Sequence, residues 1–159
     1  SNAKTERLAV SEAVKILDAK GFKNAEKVSS VKAGDKVYFL NKNKNLCAFI
    51  VGKKPLESGL RILGAHIDSP RLDLKEHPIY ENRGFAFADT HYYGGIKKYQ
   101  WVTIPLALHG VVCKKDGTTV EVNIGEDVSD PVVGISDLLI HLSADQMQKT
   151  LALIKLLKV

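Results

Sequence analysis

The heptapeptide Gly64-Ala65-His66-Ile67-Asp68-Ser69-Pro70 is the densest chemical signal in the chain. Residues two apart on a strand project to one face, so His66 and Asp68 can act together. A neutral imidazole is a good zinc ligand, and a neighbouring carboxylate can orient it or a catalytic base. Pro70 cannot continue a central ladder, which places the pair at a strand's carboxyl end, where ligands bind in open α/β sheets. Taken alone, His-x-Asp is common and equally describes a hydrogen-bonded pair at a strand end. The other candidates are thinner. His141, between Leu139 and Leu142, reads on its own as a half-exposed helix histidine. His77 and His91 fall in an irregular stretch and default to solvated loop residues. His109 lies in an apolar strand, where a satisfied sheet histidine is commoner than a ligand. Gly94-Gly95 lacks any phosphate-loop context and reads as a backbone crossing. Tyr92, Tyr93, Tyr99 and Trp101 read as packing residues beside strands. No serine or cysteine nucleophile has a recognisable setting.

The elements that must position these residues follow from periodicity. From Thr5 to Lys20, Val10, Ala13, Val14 and Leu17 recur at helical spacing, and Gly21 follows where helices commonly stop. Three runs rich in β-formers come next: Val37 to Leu40, Leu46 to Val51 and Leu60 to Ile67. The second is apolar on both faces, which predicts a strand covered from both sides. A helix followed by such strands fits one edge of a mixed α/β sandwich, with the helix over the sheet. Between Ser69 and Gly95, Pro70, Pro78, Asn82, Gly84 and the glycine pair break every period, which predicts a long connection crossing between domains. Trp101 to Cys113 and Thr118 to Ile124 read as strands joined by Lys115-Asp116-Gly117, a hairpin signal. Ser136 then opens a helical stretch carrying Leu138, Leu139 and Leu142.

Composition bounds the function. With 23 Lys plus Arg against 18 Asp plus Glu, a net charge of +5, and 45% hydrophobic residues, the chain is neither a disordered tail nor a fibre. Its 159 residues fit one medium domain or two small ones. No apolar run approaches the ~18 residues of a membrane span, and no leader is evident, so a soluble, cytoplasmic protein is expected. Ser1, Asn2 and Ala3 read as a tag remnant. Cys47 and Cys113 show no metal or redox spacing and read as buried reduced thiols. Lysine dominates the positive charge and is spread along the chain, whereas nucleic-acid surfaces favour clustered arginine; no nucleic-acid partner is expected.

Four segments in order change the weight of the His66 signal: Gly64 to Lys75 (GAHIDSPRLDLK), His91 to Trp101 (HYYGGIKKYQW), Pro105 to Gly110 (PLALHG) and Pro131 to Leu142 (PVVGISDLLIHL). Together they resemble the aspartyl-aminopeptidase family of dinuclear zinc exopeptidases, its bacterial branch best, over Lys4 to about Lys149. The resemblance implies an α/β zinc-exopeptidase sandwich domain, here 4–93, followed by part of an inserted β-rich dimerisation domain, 94–149, in a large homo-oligomer. It implies that His66 ligates one of two zinc ions and that Asp68 orients it. It also implies that His141 reaches the neighbouring subunit's active site to hold the substrate carbonyl of a peptide. The family's bridging Asp, Glu pair, further Asp and final His would lie beyond this sequence, so the chain reads as an inactive fragment of a longer aminopeptidase. Residues 150–159 are unassigned: an apolar tail of truncation, frameshift or splice origin, with Leu151, Ile154 and Leu157 able to extend a helix. The competing reading is a non-catalytic oligomerisation module that self-associates through the β unit 101–124.

Overall fold

The protein is represented by a computed structural model that describes residues 2–149. The proposed helical tail at Leu151, Ile154 and Leu157 lies outside the described residues. The chain divides into two compact units between Ser69 and Pro70.

In the first unit, helix α1 spans Glu6–Ala19, as its spacing predicts. Thr5 caps it, its hydroxyl oxygen accepting from the Leu8 amide at 3.3 Å. At the other end the Phe22 amide donates to Leu17 O and the Gly21 amide to Asp18 O, each at 3.0 Å. That is the two-bond glycine stop, and Gly21 supplies it with φ +77°. Strand β1 (Lys23–Asn24) runs parallel to β2 (Lys36–Asn41), which pairs antiparallel with β3 (Asn45–Ile50). The β2–β3 turn has positive φ at both Lys42 and Asn43, the twist a tight hairpin requires. Arg7 of α1 donates to Lys42 O at 3.0 Å, tying the helix to that turn. Val10, Val37 and Tyr38 are the buried apolar residues of this unit among those described.

Two expectations fail here. Among the described residues strand β3 is a sheet edge, with β2 on one side and no strand on the other, and no layer covers both of its faces: Phe49, Ile50 and Cys47 are exposed. The expected third strand, Leu60 to Ile67, forms no ladder; residues 59–70 run without regular structure. A strand is defined by its neighbour, and among the described residues none lies beside this segment. Leu63 is 102% and Ile62 81% exposed.

In the second unit the expected irregular connection is instead a long hairpin of β4 (Arg71–Asn82) and β5 (Phe85–Tyr93). Arg83 and Gly84, with φ +53° and +81°, make its two-residue turn. The period is hidden because the register shifts between Leu74 and Ile79, where His77 adopts φ +51° and Pro78 follows. The predicted β unit is a hairpin of β7 (Leu108–Cys113) and β8 (Thr119–Ile124). The first strand begins later than the predicted Trp101, because Thr103 has φ +58° and Pro105–Leu106 (β6) pairs instead with Val133–Gly134 (β9). Cys113 is exposed, like Cys47, against the expectation of buried thiols. A β6 residue is also what makes Gly125 obligatory: a side-chain carbon there would sit 2.7 Å from Leu106 O, and its φ is +94°. The predicted helix from Ser136 does not form. Residues Ile140–Leu142 make one 3₁₀ turn, followed by a four-residue helix α2, Ala144–Met147. Asp137 has turned the chain locally, accepting from its neighbour Leu138's amide at 2.8 Å and from Gln146 at 3.0 Å. Ile135, 1% exposed, anchors this stretch.

Candidate functional site

His66 and Asp68 are brought together, although no ladder holds them. His66 Nδ1 lies 3.3 Å from Asp68 Oδ1 and 3.2 Å from Asp68 O. Both are acceptors, so in these contacts Nδ1 carries the proton and donates. The neutral ring then keeps its lone pair on Nε2, the tautomer in which a histidine ligates a metal while a carboxylate orients it. The His66 side chain is 88% exposed, which leaves the ring open to a cation. Among the described residues no group of three or more His, Cys, Asp or Glu side chains gathers as a metal site.

His141 sits in the Ile140–Leu142 turn and is exposed. Its turn is closed by Leu142 N donating to Leu139 O at 2.8 Å and by the buried Ser143, whose hydroxyl donates to Ile140 O at 3.0 Å. The Asp137 carboxyl is held below the usual range, first by Gln146 and then by the Leu138 amide. His77 is exposed at the β4 bulge, and exposed His91 Nδ1 contacts Tyr92 O at 3.1 Å. Of the aromatic group, Tyr92 and Tyr93 are exposed and meet cations rather than a core: the Arg71 guanidinium lies 4.0 Å over the Tyr93 ring while bonding Asp73 at 2.7 Å, and Lys98 Nζ lies 5.2 Å over the Tyr92 ring. Gly94 passes Pro70 at van der Waals distance, 3.5 Å from the position of an added side-chain carbon.

His109 is satisfied within its sheet, as its apolar setting predicts. Nδ1 lies 2.9 Å from Asn123 Oδ1 and Nε2 2.8 Å from Glu126 Oε1. Sequence reasoning found no partner for it, because Glu126 lies beyond the end of β8. The lysines are also less scattered than the sequence suggests. Lys20, Lys23, Lys27, Lys32 and Lys36 line one open hollow of about 680 Å³ in the first unit.

The described residues thus form a mixed α/β chain in which His66 and Asp68 meet side by side. Residues 1–155 match the family model for aminopeptidase I zinc metalloprotease (M18), and the chain belongs to that family. It is 56% identical over 153 residues to a probable M18 family aminopeptidase 1 of Clostridium acetobutylicum, covering 94% of this chain and 33% of that protein. A Thermotoga maritima relative of the same description is 48% identical over 145 residues, covering 91% and 32%. The crystal structure of aminopeptidase I from Clostridium acetobutylicum superposes with a TM-score of 0.85 at 53% identity, over 98% of this chain and 35% of that one. The resemblance read from the four motifs is therefore borne out, for the family's N-terminal portion. The chain spans about a third of the length of these relatives. No helix among the described residues is long and apolar enough to cross a membrane.

The family implies zinc, and the donor set here fits it in part. His66 suits one ligand position and Asp68 its orientation, but an isolated imidazole is not a centre, since zinc takes about four ligands.

Proposed function

We propose that this chain is the N-terminal portion of a zinc-dependent aminopeptidase that removes the N-terminal residue from peptides. The observation that carries the reading, beside family membership, is the His66–Asp68 contact, which leaves Nε2 as the ligating nitrogen. When bound, a pair of zinc ions polarises the scissile carbonyl and supplies a hydroxide near neutral pH. Within this reading His66 holds one ion and Asp68 fixes its ring. His141, on its exposed turn, serves the active site of a neighbouring subunit by binding the substrate carbonyl. Residues 4–93 belong to the α/β peptidase domain and 94–149 to an inserted dimerisation domain of a cytoplasmic homo-oligomer.

The chain by itself is inactive in this reading. With zinc or cobalt and an aminoacyl chromogenic substrate it gives no turnover; a chelator-sensitive rate would show the ligand inventory to be wrong. The second reading, an oligomerisation module, is favoured by one observation. Val112 and Val120 are cross-strand partners on β7–β8, and both are exposed. A dimer by solution mass that Val112→Ser abolishes, without metal uptake, supports that reading over the first.

A further inference from the structure

His109 has acceptor oxygens at both ends of its ring. Asn123 Oδ1, directly across the β7–β8 ladder, lies 2.9 Å from Nδ1, and Glu126 Oε1 lies 2.8 Å from Nε2. The side chain is only 9% exposed. A neutral imidazole has one N–H and satisfies one of these oxygens; the imidazolium has two and satisfies both. Its bond to the Glu126 carboxylate is then charge-assisted, roughly twice as strong as a neutral one.

What this contact holds is a loop gathered at its other points by the Asp130 carboxylate. Asp130 Oδ2 accepts from the amides of Gly125 at 2.8 Å, Glu126 at 3.2 Å and Asp127 at 3.2 Å, which gathers residues 125–130 into one turn. Gly125 is pressed against Leu106 O of β6. After Pro131 the chain enters β9, paired to β6, and the Thr103 amide donates to Ile135 O at 2.8 Å. Five residues further begins the turn that carries His141.

We propose that His109 and Glu126 form a proton-dependent latch that fixes the 125–130 loop and, through the β6–β9 pair, the segment bearing His141. Among the described residues the charged group in contact with the ring is Glu126; Asp127 and Asp130 share its loop, and Glu121 lies two residues before Asn123 on the same face of β8. His109 and Glu126 are positioning residues: neither need touch substrate. The latch stands on the geometry of this chain alone. Its consequence for catalysis rests on the role proposed above for His141.

The test is an NMR titration of this chain without substrate or metal, from pH 5 to 8, following the His109 ring and the amide protection factors of residues 125–127. Because protection factors already remove the intrinsic pH dependence of exchange, a rise of about tenfold on ring protonation is expected, tracking the His109 midpoint. Glu126→Gln keeps an acceptor but removes the charge, and there the rise disappears while the β7–β8 amides stay protected. Flat protection in the wild-type chain, or the same rise in E126Q, overturns the latch. A latch that works while the Leu139 to Leu142 amides do not respond overturns the coupling to His141. A latch with full coupling in an assembled enzyme whose activity is insensitive to His141→Ala overturns only the proposed role of His141.

Discussion

Replacing Gly125 by alanine should unfold the second unit's loop architecture at a cost that the structure lets one divide. At φ +94° an L-residue is strained, by about 1–2 kcal/mol on the scale of left-handed backbone. The new methyl carbon would also stand 2.7 Å from Leu106 O and 3.2 Å from Ala107 Cα, both backbone atoms that cannot swing away. Forcing atoms into an occupied site adds about 1–3 kcal/mol. The unit should therefore lose about 2–5 kcal/mol, a factor of roughly 30 to several thousand in its folding equilibrium. Gly117 provides the control. Its φ is +84°, but nothing lies within 4 Å of an added carbon, so Gly117→Ala should show the conformational part alone. Any stabilisation through a stiffer unfolded chain is shared by both and cancels in the comparison. Urea unfolding followed by the fluorescence of Trp101, the one tryptophan of the chain, reads the result. A G125A variant no less stable than G117A would refute the close approach of the loop to β6.

Both thiols should react with an aromatic disulfide reagent in the folded protein, at rates near those in denaturant, because Cys47 and Cys113 are exposed; a slow Cys47 would contradict the exposure of β3, and a slow Cys113 that of the end of β7. Thr5→Ala should cost about 1 kcal/mol by removing the cap of α1, read as a lower urea midpoint with unchanged slope. Tyr38 should ionise above the ordinary tyrosine range in an alkaline spectroscopic titration, since burial and then the hydrogen bond to Asp18 raise its pKa. A raised folded-state value means that stability is complete below the ordinary tyrosine value of about 10 and falls as pH climbs through the folded one. Asp18→Asn should reduce the shift without abolishing it, because burial is the larger cause.

The parts of this fold that were legible in the sequence are those specified by neighbours in sequence. Thr5, the spacing of Val10 to Leu17, and Gly21 fix α1 locally, and the runs around Lys42 and Asp116 fix two hairpins through their turns. The His66–Asp68 contact was legible for the same reason, being made between residues two apart. Hidden elements depend on distant or irregular pairing. The β4–β5 hairpin was concealed by four residues, 75–78, that leave the ladder and reset its alternation. The segment Leu60 to Ile67 has the composition of a strand but not the partner that makes one. The leucines after Ser136 imitate a helix, yet Asp137 captures the local amide and leaves a single turn. His109 was correctly read as a satisfied sheet histidine, but its link to Glu126 is made across 17 residues and carries no local signature.

The bare stretch from Gly59 to Pro70 has a practical corollary. Its backbone amides and carbonyls are unladdered while Leu60, Ile62 and Leu63 face water, which is the combination that templates edge-to-edge adhesion between molecules. Clumping that grows with protein concentration therefore has a ready source in this ribbon, unrelated to the valine pair of β7–β8. Charged replacements at Ile62 and Leu63 would suppress the former and spare the latter, so a stoichiometry measured on the unaltered chain conflates two kinds of stickiness that this pair of substitutions separates.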